Sequence, residues 1–182
     1  MRTILVVLAL AALPASAHTQ TRPAPAAAAA DLIAVVRDGG AYARDVITRS
    51  AEAMTEADYA FRPAPDVRSF GELLAHVADS NYGFCAMARG ETAPVRDIEK
   101  TKKTRADIAR ARTESFAYCD ALLAGLDETA IGRQVQFRGK PRTVGVVLTF
   151  FNYHSMLHYG NVITYMRLRG KVPPSSEPVP RK

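Results

Sequence analysis

The chain has 182 residues, 48% of them hydrophobic, 23% charged and 8% aromatic, with a formal net charge of +6. This composition excludes a collagen-like repeat, a disordered tail and a disulfide-dense mini-protein. The length suits one domain with a core of its own, and the basic balance permits anionic partners without requiring them.

Residues 1–17 (MRTILVVLALAALPASA) read as an export signal. Arg2 precedes an apolar run, and Ala15-Ser16-Ala17 has the small-x-small pattern of a cleavage site. The run is too short to span a bilayer, which takes roughly 20 residues. No other stretch is long and apolar enough to do so, and the expectation is an exported protein, periplasmic or secreted, with no membrane contact after cleavage. Residues 18–30 are rich in Pro and Ala and read as a flexible leader carrying His18.

Four helical patterns follow. The first, 31–55, carries Leu32, Val35, Val36, Val46, Ile47 and Met54 at helical spacing and is weakened in the middle by Gly39-Gly40. Arg62-Pro63-Ala64-Pro65 marks an extended loop. The second helix starts at a capping box, Ser69 with Glu72, and closes at Gly90. Residues 95–104 are charged and read as a loop, and a third helix covers 104–125. Residues 131–142 hold the one alternating segment, Val135-Gln136-Phe137, a short extended stretch that does not by itself make a sheet. The fourth helix, 143–169, is the most apolar and stops at Gly170 and Pro173-Pro174. Four amphipathic helices predict an all-α four-helix bundle over 31–176, with a tail at 177–182.

Histidine is scarce, with four in the chain. His154 and His158 are four residues apart on the last helix, so one imidazole stacks a turn above the other on one face. His76 lies on the second helix at the edge of its apolar stripe. Burying imidazoles without partners costs several kcal/mol, on the order of a few per group. A shared metal ion relieves that cost, and neutral imidazole suits zinc, nickel, copper and iron. Three histidines make an open, reactive type of site.

Two blocks of sequence carry a resemblance. FRPAPDVRSFGELLAHVADSNYGFC around His76 and YHSMLHYGNVITYMRLRGKVPPSS around His154 and His158 resemble the DinB-like (YfiT-like) metalloenzyme superfamily. The resemblance covers about 31–176. It implies an up-down-down-up bundle, a metal triad at His76, His154 and His158, a divalent transition metal with zinc or nickel foremost, and a homodimer. Many relatives follow the pair with a further His and then Arg-Gly-Gln; this chain has Tyr159, Gly160 and Asn161. The superfamily includes thiol-dependent S-transferases and a mycothiol-dependent isomerase. Thiol transfer or hydrolysis on a small molecule is therefore the implied activity, although an exported protein meets little reduced thiol.

The implied topology makes helices two and three parallel, which sets Cys85 and Cys119 at one level. A disulfide and two buried free thiols are both open. Lys100, Lys102, Lys103, Arg105, Arg110 and Arg112 form a basic cluster without nucleic-acid motifs or interleaved aromatics, so it reads as a solvated face and no nucleic acid is expected. Asp79, three residues after His76, has the spacing to orient it or another ligand from behind, although an ordinary place on the helix surface is the commoner reading. The alternatives to an enzyme are a non-catalytic metal-binding or stress-associated dimeric protein and a dimeric interaction module with an empty site.

Overall fold

The computed structural model describes residues 25–178. The proposed signal, His18 and the last residues of the tail lie outside the described residues. In chain order the elements are α1 (Pro25–Ala53), the one-turn α2 (Glu56–Tyr59), α3 (Phe70–Arg89), the one-turn α4 (Ile98–Thr101), α5 (Arg105–Ala124), α6 (Glu128–Gly132), strands β1 (Gln134–Phe137) and β2 (Lys140–Thr143), α7 (Val144–Leu168) and a 3-10 turn at Pro174–Ser176. The four long helices are α1, α3, α5 and α7. None of the described helices is long and apolar enough to cross a membrane.

Side-chain pairings fix the direction of each helix. Asn81 bonds Ser115 at 3.1 Å and Cys85 is joined to Cys119, so residues 34 apart in sequence stay level along α3 and α5. Those two helices are therefore parallel. Leu32 meets Gly145, and Asn152 donates to the Val36 carbonyl, so α1 and α7 are parallel too. Phe70 packs near Tyr165 and Ser80 lies beside His154, which makes α3 antiparallel to α7. Arg37 donates to the Leu123 carbonyl and Arg112 to that of Thr48, which makes α1 antiparallel to α5. The bundle is thus up-down-down-up, as the resemblance implies.

The chain starts its helices where capping chemistry allows. Ser69 accepts from the Glu72 amide while Glu72 reaches back to the Ser69 amide, the full capping box. Gly90 ends α3 with φ 80°, a left-handed angle that a side chain disfavours. Thr104 and Thr143 cap α5 and α7 through the amides of Asp107 and Val146. Two apolar clusters fill the interior. One centres on Ile47, Phe70, Leu74, Tyr159 and Met166, and the other on Val36, Cys85, Cys119, Leu148 and Phe151.

Three sequence expectations change. Helix α1 begins at Pro25, so residues 25–30 of the expected leader are helical. Five consecutive alanines, Ala26 to Ala30, have the highest helix propensity, and proline is tolerated at the first helical position. The expected loop at 95–104 contains α4. The alternating segment pairs with the residues after it: β1 and β2 form an antiparallel hairpin, with Gln134 opposite Thr143 and Phe137 opposite Lys140. Its two-residue turn is Arg138-Gly139, both at positive φ (53° and 74°), the turn whose twist suits a tight hairpin. Of the two states open for the cysteines, the structure has the disulfide: Cys85 and Cys119 are bonded, with Cα atoms 5.5 Å apart.

Candidate metal centre

The seam between α3 and α7 brings all three predicted histidines together. The pairs that set α3 against α7, Phe70 with Tyr165 and Ser80 with His154, put His76 level with His158. The ring centroids are 4.4 Å apart for His154 and His158, 4.8 Å for His76 and His158, and 5.3 Å for His76 and His154. One ring nitrogen from each lies within 4.8 Å of the other two.

The donor set fits one transition-metal ion. The Nε2 atoms of His154 and His158 are 3.1 Å apart. Around a tetrahedral ion with bonds of about 2.0–2.1 Å, ligand nitrogens sit roughly 3.3–3.4 Å from one another. The His76 ligand nitrogen lies within 4.8 Å of both. All three rings are held neutral, the ligating form. Burial, then the neighbouring rings and Arg68, pushes His158 down to about 4; burial, then His76, Arg68 and Arg138, does the same to His154, also to about 4. His76 is lowered by burial and by Arg68, with Glu99 opposing.

His76 is the one whose second nitrogen meets a carboxylate. Its Nδ1 lies 3.2 Å from Glu99 Oε2, which leaves Nε2 as the ring nitrogen without that partner. Glu99 also accepts from Arg68 Nε at 2.8 Å. The Nδ1 of His158 is buried with no partner. On the far side, Phe84 packs 5.4 Å from the His154 ring and continues through Phe137 to Phe150, with the Arg138 guanidinium 4.6 Å over Phe150.

An open cleft of about 710 Å³ adjoins the triad. The loop at 62–68 forms one wall, and His158, Asn161 and Tyr165 of α7 form the other, with Glu99 at the edge. Arg62 and Arg68 line it, offset by Asp66, Glu72 and Glu99. Arg62 is tied to Glu72 at 2.6 Å and to the Val67 carbonyl.

The remaining sequence candidates separate. Asp79 does not touch His76. Its two carboxylate oxygens accept from the amides of Ile98 and Glu99, each at 2.9 Å, so it holds α4 instead. Tyr82 stacks on Tyr118, Tyr153 is exposed, and Tyr159 bonds Ser175; Asn161 alone of that group reaches the cleft. Sequence reasoning missed Glu99 and Arg68. Both sit in segments without helical periodicity, and no spacing rule links Glu99 to a histidine 23 residues earlier.

Comparison with known proteins agrees with this architecture. The family model described as the DinB superfamily matches residues 41–162. YjoA, an uncharacterised protein of Bacillus subtilis (strain 168), is 26% identical over 132 residues, covering 70% of this chain and 84% of its own. The crystal structure of YjoA superposes with a TM-score of 0.64 at 23% identity, over 79% of this chain and 99% of that one. YfiT from Bacillus subtilis, described as a probable metal-dependent hydrolase with an unusual four-helix bundle topology, superposes with a TM-score of 0.57 at 18% identity, over 88% of this chain and 94% of that one. The mycothiol-dependent maleylpyruvate isomerase is similar at TM-score 0.61 and 14% identity, over 71% of this chain and 60% of the isomerase. The helix directions built up from side-chain pairings are thus those of a known lineage, and the chain belongs to the DinB superfamily.

Proposed function

We propose that this protein is a metal-dependent enzyme. It holds a divalent transition metal, zinc or nickel, on His76, His154 and His158 and acts on a small molecule in the adjoining cleft. The observation that carries this reading is the convergence of three imidazoles, one of which, His158, lines an open cleft. When bound, such an ion supplies Lewis acidity, polarising a carbonyl or phosphoryl oxygen or acidifying a water or thiol. The chain's own residues do the rest. The two α7 rings set the direction of approach, and the Phe84 ring shields His154 from water on one side.

Hydrolysis is the reaction we favour over thiol transfer. YfiT is described as a probable metal-dependent hydrolase, whereas the maleylpyruvate isomerase depends on mycothiol. The export pattern at residues 1–17 and the Cys85–Cys119 bridge both suit an oxidising compartment poor in reduced thiols.

The test is metal stoichiometry, followed by an activity screen. One zinc or nickel ion per chain is expected for the wild type, and a loss of affinity of at least about tenfold for His154→Ala or His158→Ala, since each removes one of three protein ligands. Esterase, amidase and phosphatase substrates should turn over only in metal-loaded protein. Wild-type stoichiometry and affinity in both variants would overturn the site, and chelator-sensitive melting without any turnover would assign the ion a bracing role.

A further inference from the structure

We propose that Glu99 is the positioning residue of the metal centre and that Asp79 acts through it. Glu99 fixes His76 with its proton on Nδ1, so that Nε2 is the nitrogen left to ligate. This rests on the metal reading above, but it has a consequence in the metal-free protein as well.

A histidine ring has two nitrogens, and in the neutral form only one is free to ligate. Which one is set by the hydrogen bond the other makes, and in metal sites that partner is commonly a carboxylate. His154 and His158 already have their orientation constrained, because they stand a turn apart on one rigid helix. His76 comes from a different helix and must be aimed separately. Glu99 Oε2 lies 3.2 Å from its Nδ1 and can accept from it.

Glu99 is itself held on three sides. Arg68 bonds Oε1 at 2.8 Å. The Lys103 ammonium donates to the Glu99 backbone carbonyl at 2.9 Å. Asp79, one turn along α3 from His76, accepts from the Ile98 and Glu99 amides at 2.9 Å each, clamping the start of α4 to the helix that carries the ligand. A four-residue helix has too few internal bonds to hold its own place. The clamp therefore turns α4 from a mobile turn into a fixed mount for one carboxylate, and the two groups on α3, ligand and anchor, share a rigid frame.

The experiment uses the full chain with zinc(II) as the probe and reads two quantities. The first is the tautomer of His76 in metal-free protein, from long-range proton–nitrogen correlation spectra. The second is zinc affinity by chelator competition. Wild type should show His76 protonated at Nδ1. Glu99→Ala should give mixed tautomers and roughly a ten- to hundredfold loss of zinc affinity. Glu99→Gln keeps an acceptor oxygen and should restore the Nδ1 proton and much of the affinity. Asp79→Ala should shift the tautomer in the same direction with a smaller loss. An unchanged tautomer and zinc affinity within about twofold of wild type in Glu99→Ala would overturn the proposal. Absence of zinc and nickel binding to wild type would instead overturn the metal reading, while the tautomer series would still decide whether Glu99 sets the His76 ring.

Discussion

Protonation of the triad couples to folding. The His154 and His158 rings are pushed down to about 4, chiefly by burial, whereas in the unfolded chain they titrate near their ordinary value of 6.5. Between those limits the unfolded metal-free chain binds more protons than the folded one, so stability falls as pH drops from about 6.5 toward 4. Asp58 contributes in a separate window. The Thr55 amide and Arg169 hold its carboxyl down to about 2 from 3.8, so its contribution is present above about 3.8 and is lost below that value. Urea midpoints of metal-free protein should therefore decline from about pH 7 to 4.5, and the decline should be shallower in His154→Ala and His158→Ala. A flat profile for the wild type would contradict the buried, neutral state of these rings.

Between helices, small residues control how closely the backbones approach. Gly39 and Gly40 lie where α1 meets α7 and α5. A Cβ on Gly39 would overlap the Asn152 amide, the group that bonds the Val36 carbonyl, and one on Gly40 would come 2.8 Å from Leu123. Overpacking costs about 1–3 kcal/mol, more than the helix propensity of alanine returns. At Gly83 in α3 the space is open, with no atom within 4 Å of where a Cβ would stand. Gly39→Ala should lower the stability in urea, while Gly83→Ala should raise it by about 0.5–1 kcal/mol; the same sign for both would refute the packing account. The glycine pair read as a weak point in the sequence is a contact surface in the fold, because propensity describes an isolated helix. The elements with local signals were legible in advance: the Ser69–Glu72 box, Gly90, and the i, i+4 histidine pair. What was not legible depends on partners distant in sequence. The α4 turn has its first amides capped by Asp79, 19 residues earlier, and the β2 strand, with Pro141 and two basic residues, reads as nothing until β1 lies beside it.

Across the whole molecule, one pair of parallel helices that follow each other in the chain, α3 and α5, demands a connection that runs back along the bundle. The Cys85–Cys119 bridge spans 34 residues and encloses it. Closing a loop of that size stabilises by roughly 3–4 kcal/mol in the chain-entropy model. Reduction should therefore lower the melting temperature by about 10 °C, at some 2–4 °C per kcal/mol, and a shift of under about 2 °C would show that helix packing alone holds α3 against α5. The return path has a further consequence. From the level of Arg89 the chain must climb about 27 Å to reach the start of α5, and that climb carries Glu99 past His76. An antiparallel pair joined by a tight turn would leave this seam bare. Residues 90–104 look like expendable surface, polar and short of regular structure, the kind of stretch where insertions and deletions are usually tolerated. In this fold the tolerance should be absent: a residue gained or lost there shifts the register of α4 against α3, and a length change far from any ligand reaches the chemistry directly.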